Sequence, residues 1–256
     1  MKFTINFPNA CTYAFIIIFS TSNGLGANEI DHANRYQKCM KLAKSKPQIA
    51  FDTAMNWHGL GGGDAADHCV AIALIGLGQY KESAKRLEKL AHNIKQKNDI
   101  KAGILAHAAQ GWILAGRSVR AEAVLTAAIK LMPDNAALMV DRAQALAGQR
   151  KYTDAIQDLN HAIKLDGHLA DAYVFRASAY RHIENLEQAL ADVEKALKLQ
   201  PDHPEGLLER GNLKRLLQDD NGARKDWLAL IQSNPKSSSA ENARKNLEVL
   251  DLKKVQ

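Results

Sequence analysis

The chain is poor in the residues and spacings that usually announce chemistry. It has three cysteines and no Cys-x-x-Cys pair, which excludes both the thioredoxin-type redox spacing and the Cys-x-x-Cys-His haem attachment. A membrane-spanning helix needs roughly 20 apolar residues, and the run from Ala10 to Phe19 is only about half that length. The glycine run from Gly59 to Gly63 has no strand pattern before it and no Lys-Ser or Lys-Thr after it. A phosphate-cradling loop is therefore excluded, and a turn remains. After residue 28 no alternating apolar and polar stretch suggests a sheet. No nucleophile motif, paired-carboxylate signature or metal-ligand cluster stands out. The sequence reads as non-enzymatic, with no cofactor and no metal.

What is there begins with an address. Lys2, the apolar run and a polar stretch ending Leu25-Gly26-Ala27 form the three-part pattern of a secretory signal peptide. Residues 1–27 are expected to be removed on export, placing the mature chain in the periplasm or outside the cell, with a retained membrane anchor as the alternative. Removal takes one cation and no acid, so the net charge falls from +6 to +5. The remaining lysines and arginines alternate with acids along helical faces rather than cluster. Neither nucleic acid nor an anionic membrane is implied as a partner.

The rest of the chain repeats itself. At steps of 34 residues, Ala121, Ala155, Ala189 and Ala223 form one column. Ala128, Ala162, Ala196 and Leu230 form a second, and Pro133, Gly167, Pro201 and Pro235 a third. Self-similarity at such a period is the mark of a solenoid. Between the columns apolar residues recur every three or four positions, as in Leu190, Val193, Ala196 and Leu197, which is helical spacing. Each unit reads as two short helices that cross closely at the alanines and end at the proline or glycine. One pair alone cannot bury its apolar face, whereas stacked neighbours can.

In this pattern the chain resembles the tetratricopeptide repeat family, which has small residues at positions 8, 20 and 27 and proline at 32 of each unit. Those positions hold Ala109, Ala121, Ala128 and Pro133, then Ala143, Ala155, Ala162 and Gly167. The next units give Ala177, Ala189, Ala196 and Pro201, then Gly211, Ala223, Leu230 and Pro235. The resemblance implies an all-α fold, a right-handed α-solenoid of stacked antiparallel helix pairs. The expected array covers residues 64–235, in units 64–97, 102–135, 136–169, 170–203 and 204–237. A degenerate helical cap over 28–63 precedes it. A capping helix over 236–256 follows, with Ser238 and Glu241 as its capping box.

Two cysteines remaining in an exported protein most simply pair. In the stack that the resemblance implies, Cys39 lies on the first helix of the cap and Cys69 on the first helix of the next unit, so a Cys39–Cys69 disulfide is expected to pin that end. The alternative is a metal held by Cys69 with His68 and His58, although His68 and Cys69 point about 100° apart on a helix. The glycine run should end the cap's second helix, with Asp64 capping the next.

Two further columns carry charge. Arg142, Arg176 and Arg210 occupy position 7 of the last three units, and Asp158, Asp192 and Asp226 occupy position 23 of the same units. The first two units lack both. Because a guanidinium matches a carboxylate in bidentate fashion, an Arg–Asp ladder within or across repeats is expected, with an anion-binding row as the alternative.

The resemblance also implies that positions 2, 5, 9 and 12 line a concave groove. Position 5 holds Ala106, Val140, Val174 and Leu208, and position 9 holds Gln110, Gln144, Ser178 and Asn212. Asp171, Arg181, Glu205 and Arg215 add charge. An apolar row beside amides suits an extended or helical peptide. The Lys, Asn and Arg set of the family's carboxylate-clamp variety is not matched. His161, His168, His182 and His203 fall at solvent-type or loop positions. The expected function is a scaffold that binds a protein or peptide in the groove. The alternatives are a homo-oligomeric module, or an enzyme or metal-binding protein built on the Cys/His region.

Overall fold

The computed structural model describes residues 27–252. The expected signal segment lies outside them, apart from Ala27. Thirteen helices and no strand occur among the described residues, which form two compact units divided between Ala145 and Leu146. The first unit holds α1 (Ala27–Ser45), α2 (Pro47–Gly59), α3 (Gly63–Gly76), α4 (Tyr80–Asn93), α5 (Asn98–Leu114), α6 (Ser118–Leu131) and most of α7 (Ala136–Ala147). The second holds the end of α7, α8 (Tyr152–Leu165), α9 (Ala170–His182), α10 (Leu186–Leu199), α11 (Pro204–Leu216), α12 (Asp220–Ser233) and α13 (Ser238–Leu252).

Within each unit, consecutive helices pack as hairpins, and first helices touch those of neighbouring hairpins. In the first unit α1 lies on α3 and α3 reaches α5, and in the second α11 touches both α9 and α13. This is an all-α solenoid architecture, and its residues explain it. Ala121, Ala128, Ala155, Ala162, Ala189, Ala196, Ala223 and Leu230 are all 1% exposed or less. They sit where a larger side chain would force the helices apart. Gly211 shows the same rule with one step more: a Cβ there would overlap the indole of Trp227, which is fully buried. The last repeat therefore combines its smallest residue with its largest.

The turns inside the hairpins share one geometry. Gly78, Gly116, Arg150, Glu184 and Gln218 all have positive φ, between 62° and 75°. The residue after each donates its N–H to a carbonyl five residues back: Gln79 to Leu74, Arg117 to Trp112, Lys151 to Leu146, Asn185 to Tyr180 and Asp219 to Lys214. This closes each first helix with a left-handed cap.

Two expected caps differ in detail. Ser237, not Ser238, caps α13, its Oγ accepting from the Ala240 N–H at 3.0 Å; the helix starts at Ser238, so Ser238 already lies inside it. Asp64 does not cap α3 either, because the helix starts at Gly63 with Gly62 before it. The glycine run turns the chain through Gly61 and Gly63, both at positive φ. Gly62 packs so closely on Trp57 that a Cβ would lie 2.7 Å from the indole.

Cys39 of α1 and Cys69 of α3 are joined by a disulfide, with their Cα atoms 6.2 Å apart. Both are buried beside Ala43, Ala54 and Val70. Closing a loop of 30 residues restricts the unfolded chain by about 3–4 kcal/mol. Replacing both cysteines by serine is expected to lower the unfolding free energy by about 3 kcal/mol, read as a lower midpoint in urea. An unchanged midpoint would show that the bond adds nothing.

Candidate functional site

The charged columns belong to the scaffold in the second unit. Arg176 of α9 donates from Nε and Nη2 to Asp192 of α10 at 2.7 and 2.6 Å. Arg210 of α11 does the same to Asp226 of α12 at 2.9 and 2.6 Å. Each fork therefore ties the two helices of one hairpin. Asp192 and Asp226 are buried, and Lys214 adds a second cation 2.8 Å from Asp226. The Arg176 guanidinium also lies over the rings of Tyr173 and Tyr180. Arg142 falls in the first unit, where it reaches Thr126 at 3.4 Å, and Asp158 falls in the second.

The expected groove residues separate into two kinds. The apolar row is not an open set of side-chain pockets: Ala106, Val140 and Val174 are buried, at 8%, 6% and 2% exposed. Ala106 belongs to the core of the first unit, and Val174 packs with Tyr173 and Ala196. These residues lie between packed helices, so the stack itself hides them. The polar row differs between the units. Gln110 is half-buried on α5. Gln144 on α7 is 6% exposed, and its Oε1 has no hydrogen-bond partner among the described residues.

In the second unit α13 covers the corresponding positions. Ser239 Oγ donates to Glu205 Oε1 at 2.7 Å, and Asn246 Nδ2 donates to Asn212 Oδ1 at 2.8 Å. Burial raises the Glu205 pKa, partly offset by the Ser239 bond. Arg181 forks onto the buried carboxylate of Glu209 at 2.5 and 3.3 Å, so it is committed to the fold. Arg215, Ser178 and Leu208 remain partly exposed. His203 is buried rather than in solvent. Its Nδ1 accepts from the Gly206 N–H at 3.2 Å, which leaves Nε2 to donate to Asp171 Oδ1 at 2.9 Å. His182 is also partly buried, stacked 4.5 Å from Tyr152, and burial lowers its pKa to about 4.

Sequence reasoning missed a string of polar groups in the first unit, with His68 buried at its centre and Tyr36 and His107 half-buried on either side. Tyr36 of α1 lies 2.7 Å from His68 Nδ1 on α3, and His68 Nε2 lies 3.0 Å from His107 Nδ1 on α5. Burial pushes the Tyr36 hydroxyl pKa up, so the phenol keeps its proton. It then donates to His68, and His68 donates to His107. Burial holds His68 well below its ordinary pKa, with His107 adding to the effect. It lowers His107 to about 4, with Lys44 adding. One signal was available: His68 is position 5 of the first repeat, the head of the column that continues in Ala106. The metal alternative fails on this geometry, because Cys69 is in the disulfide and His58 Nδ1 faces Asp67 at 2.8 Å.

With hairpins, left-handed turns and buried alanine columns in place, the class is that of the tetratricopeptide solenoids, and the comparisons agree. Models of the tetratricopeptide repeat family match residues 115–170 and 170–203, so that stretch carries tetratricopeptide repeats. It is 30% identical over 112 residues to a DnaJ homolog subfamily C member 7 homolog of Dictyostelium discoideum, covering 44% of this chain and 20% of that protein. It is 38% identical over 77 residues to Hsc70-interacting protein 1 of Drosophila melanogaster, covering 30% and 20%. The chain thus spans about a fifth of the length of these curated relatives. A thermophilic TPR protein of Thermus thermophilus shares the fold. Its TM-score is 0.63 at 16% identity, covering 74% of this chain and all of that one.

Removing the carboxylate from a buried fork leaves an unpaired guanidinium. Asp226→Ala is expected to lower the unfolding free energy by about 3 kcal/mol, and an effect below about 1 kcal/mol would refute a structural role. The histidine string sets a pH dependence. Unfolded, its rings take up protons near their ordinary value of 6.5, whereas folded His107 resists down to about 4. Stability should therefore fall as pH drops through that window. His107→Gln should flatten the fall in urea midpoint between about pH 7 and pH 5, and parallel wild-type and variant curves would refute the assignment.

Proposed function

We propose that this chain is a non-catalytic interaction scaffold. It takes an extended or helical segment of a partner protein on the first-helix face of its first unit. The single observation that carries this reading is Gln144, whose buried amide oxygen has no hydrogen-bond partner among the described residues; such an atom is rare in a folded protein, and leaving it bare costs about 1–3 kcal/mol. That oxygen is closed from solvent as the side chain stands, so it would meet a main-chain N–H of a bound segment once the Gln144 side chain turns outward, with half-buried Gln110 at the same repeat position as the contact already open. In the second unit the matching Asn212 and the nearby Glu205 are engaged by α13, which favours the first unit as the binding surface. The names of similar curated proteins, among them an Hsc70-interacting protein and an Hsp70-Hsp90 organizing protein, support a protein as the ligand class. The paired cysteines and the leading apolar pattern support export, to the periplasm or beyond.

The test is selection of peptides that bind the full chain from a random library, followed by affinity measurement on variants. Gln144→Leu removes the amide and keeps the bulk, and it is expected to weaken the selected peptides about tenfold. Gln110→Ala should weaken them less. Unchanged affinity in both variants would sink the proposal.

A further inference from the structure

A second surface of the first unit uses none of these residues. A cavity of about 510 Å³ opens where α4, the end of α5 and the start of α6 meet, lined by Lys81, Lys85, Glu88, Trp112, Arg117 and Arg120. Its one acid is already engaged. Glu88 accepts from the Trp112 indole N–H and from the Arg120 fork, whose Nε lies 3.1 Å away. That carboxylate fixes the indole and Arg120 as one wall. The neighbouring acid on α4, Glu82, is held by Arg86 at 2.8 Å.

Lys81, Lys85 and Arg117 are left exposed, with no acid of the cavity to balance them. Lys81 and Lys85 stand four residues apart on one helix face, a like-charge spacing that disfavours the helix. An anionic partner would turn that repulsion into attraction.

We propose that this cavity docks an acidic segment of a partner protein. Glutamate and aspartate side chains would reach Lys81, Lys85 and Arg117, and the peptide chain would lie against the Trp112 wall. Charge complementarity selects the occupant: three uncompensated cations around a fixed aromatic wall match a run of carboxylates. The site stands apart from Gln110 and Gln144, so this proposal survives or fails independently of the groove.

The test is fluorescence anisotropy of fluorescein-labelled hexaglutamate titrated with the full chain at low and high salt. Binding is expected at low salt and should weaken as salt screens the exposed charges. Lys81→Glu combined with Lys85→Glu should lower affinity about tenfold or more. Both residues are exposed, so helical circular dichroism should stay unchanged and report an intact fold. Gln144→Leu should leave hexaglutamate binding as it was, which keeps this outcome separate from the groove. Absence of binding, or binding indifferent to the charge reversals, overturns the proposal. So does tighter binding of a single-stranded DNA of equal charge to the same lysines, which would assign the cavity to phosphate backbones.

Discussion

The close crossing of paired helices at small residues is the constraint on which the other features rest. Alanines at 1% exposure or less let the two helices of a hairpin approach until their backbones nearly touch, and the long apolar side chains then fill the space between hairpins. A helix of 12 to 14 residues, the length of most helices in the repeats, is marginal in water by itself. Its stability comes from neighbours. The Gly211 and Trp227 pairing shows that the constraint concerns volume rather than residue type: where the largest side chain enters, the opposing position gives up even its Cβ.

Polar groups are admitted to this packing only when they close on one another. The Arg176–Asp192 and Arg210–Asp226 forks tie the helices of a hairpin, and the Arg181–Glu209 fork ties successive first helices. The Tyr36–His68–His107 string crosses three first helices with neutral donors and acceptors. The Cys39–Cys69 bond lies in the same region, so the hairpins that begin with α1 and α3 are held by a covalent bond and a hydrogen-bonded string together. Trp227 Nε1 and Ser238 Oγ in the second unit and Gln144 Oε1 in the first depart from this rule among the described residues, and of these Gln144 shares its repeat position with half-buried Gln110, on the surface proposed to take a ligand.

The repeat frame, the Pro or Gly that ends each unit and the helical class were all legible in the sequence, because each depends on local spacing; the left-handed turns at Arg150, Glu184 and Gln218 were not, since none is a glycine. An alanine or proline every 34 residues leaves its mark whatever the partner helices are. The disulfide was legible as well, since in a stack the first helices of neighbouring hairpins must touch. The apolar row of the expected groove misled: helical periodicity gives the direction of Val140 and Val174 but not how deeply the neighbouring helix covers them. His203 misled for a similar reason. Its loop position suggested solvent, yet its ring caps α11 and bonds Asp171 on α9.

By itself, then, the sequence determined the repeating hairpin, the residues at its crossings and the Pro or Gly that ends it, since these are properties of one helix pair and its immediate neighbour. Only the tertiary structure decided which polar positions stay available. Glu205 and Asn212 are engaged because α13 lies against α11, Gln144 Oε1 has no partner among the described residues, and Lys81, Lys85 and Arg117 surround a cavity whose single acid is already held. Such outcomes depend on side chains far apart in the chain meeting in space, and a 34-residue period carries no record of that.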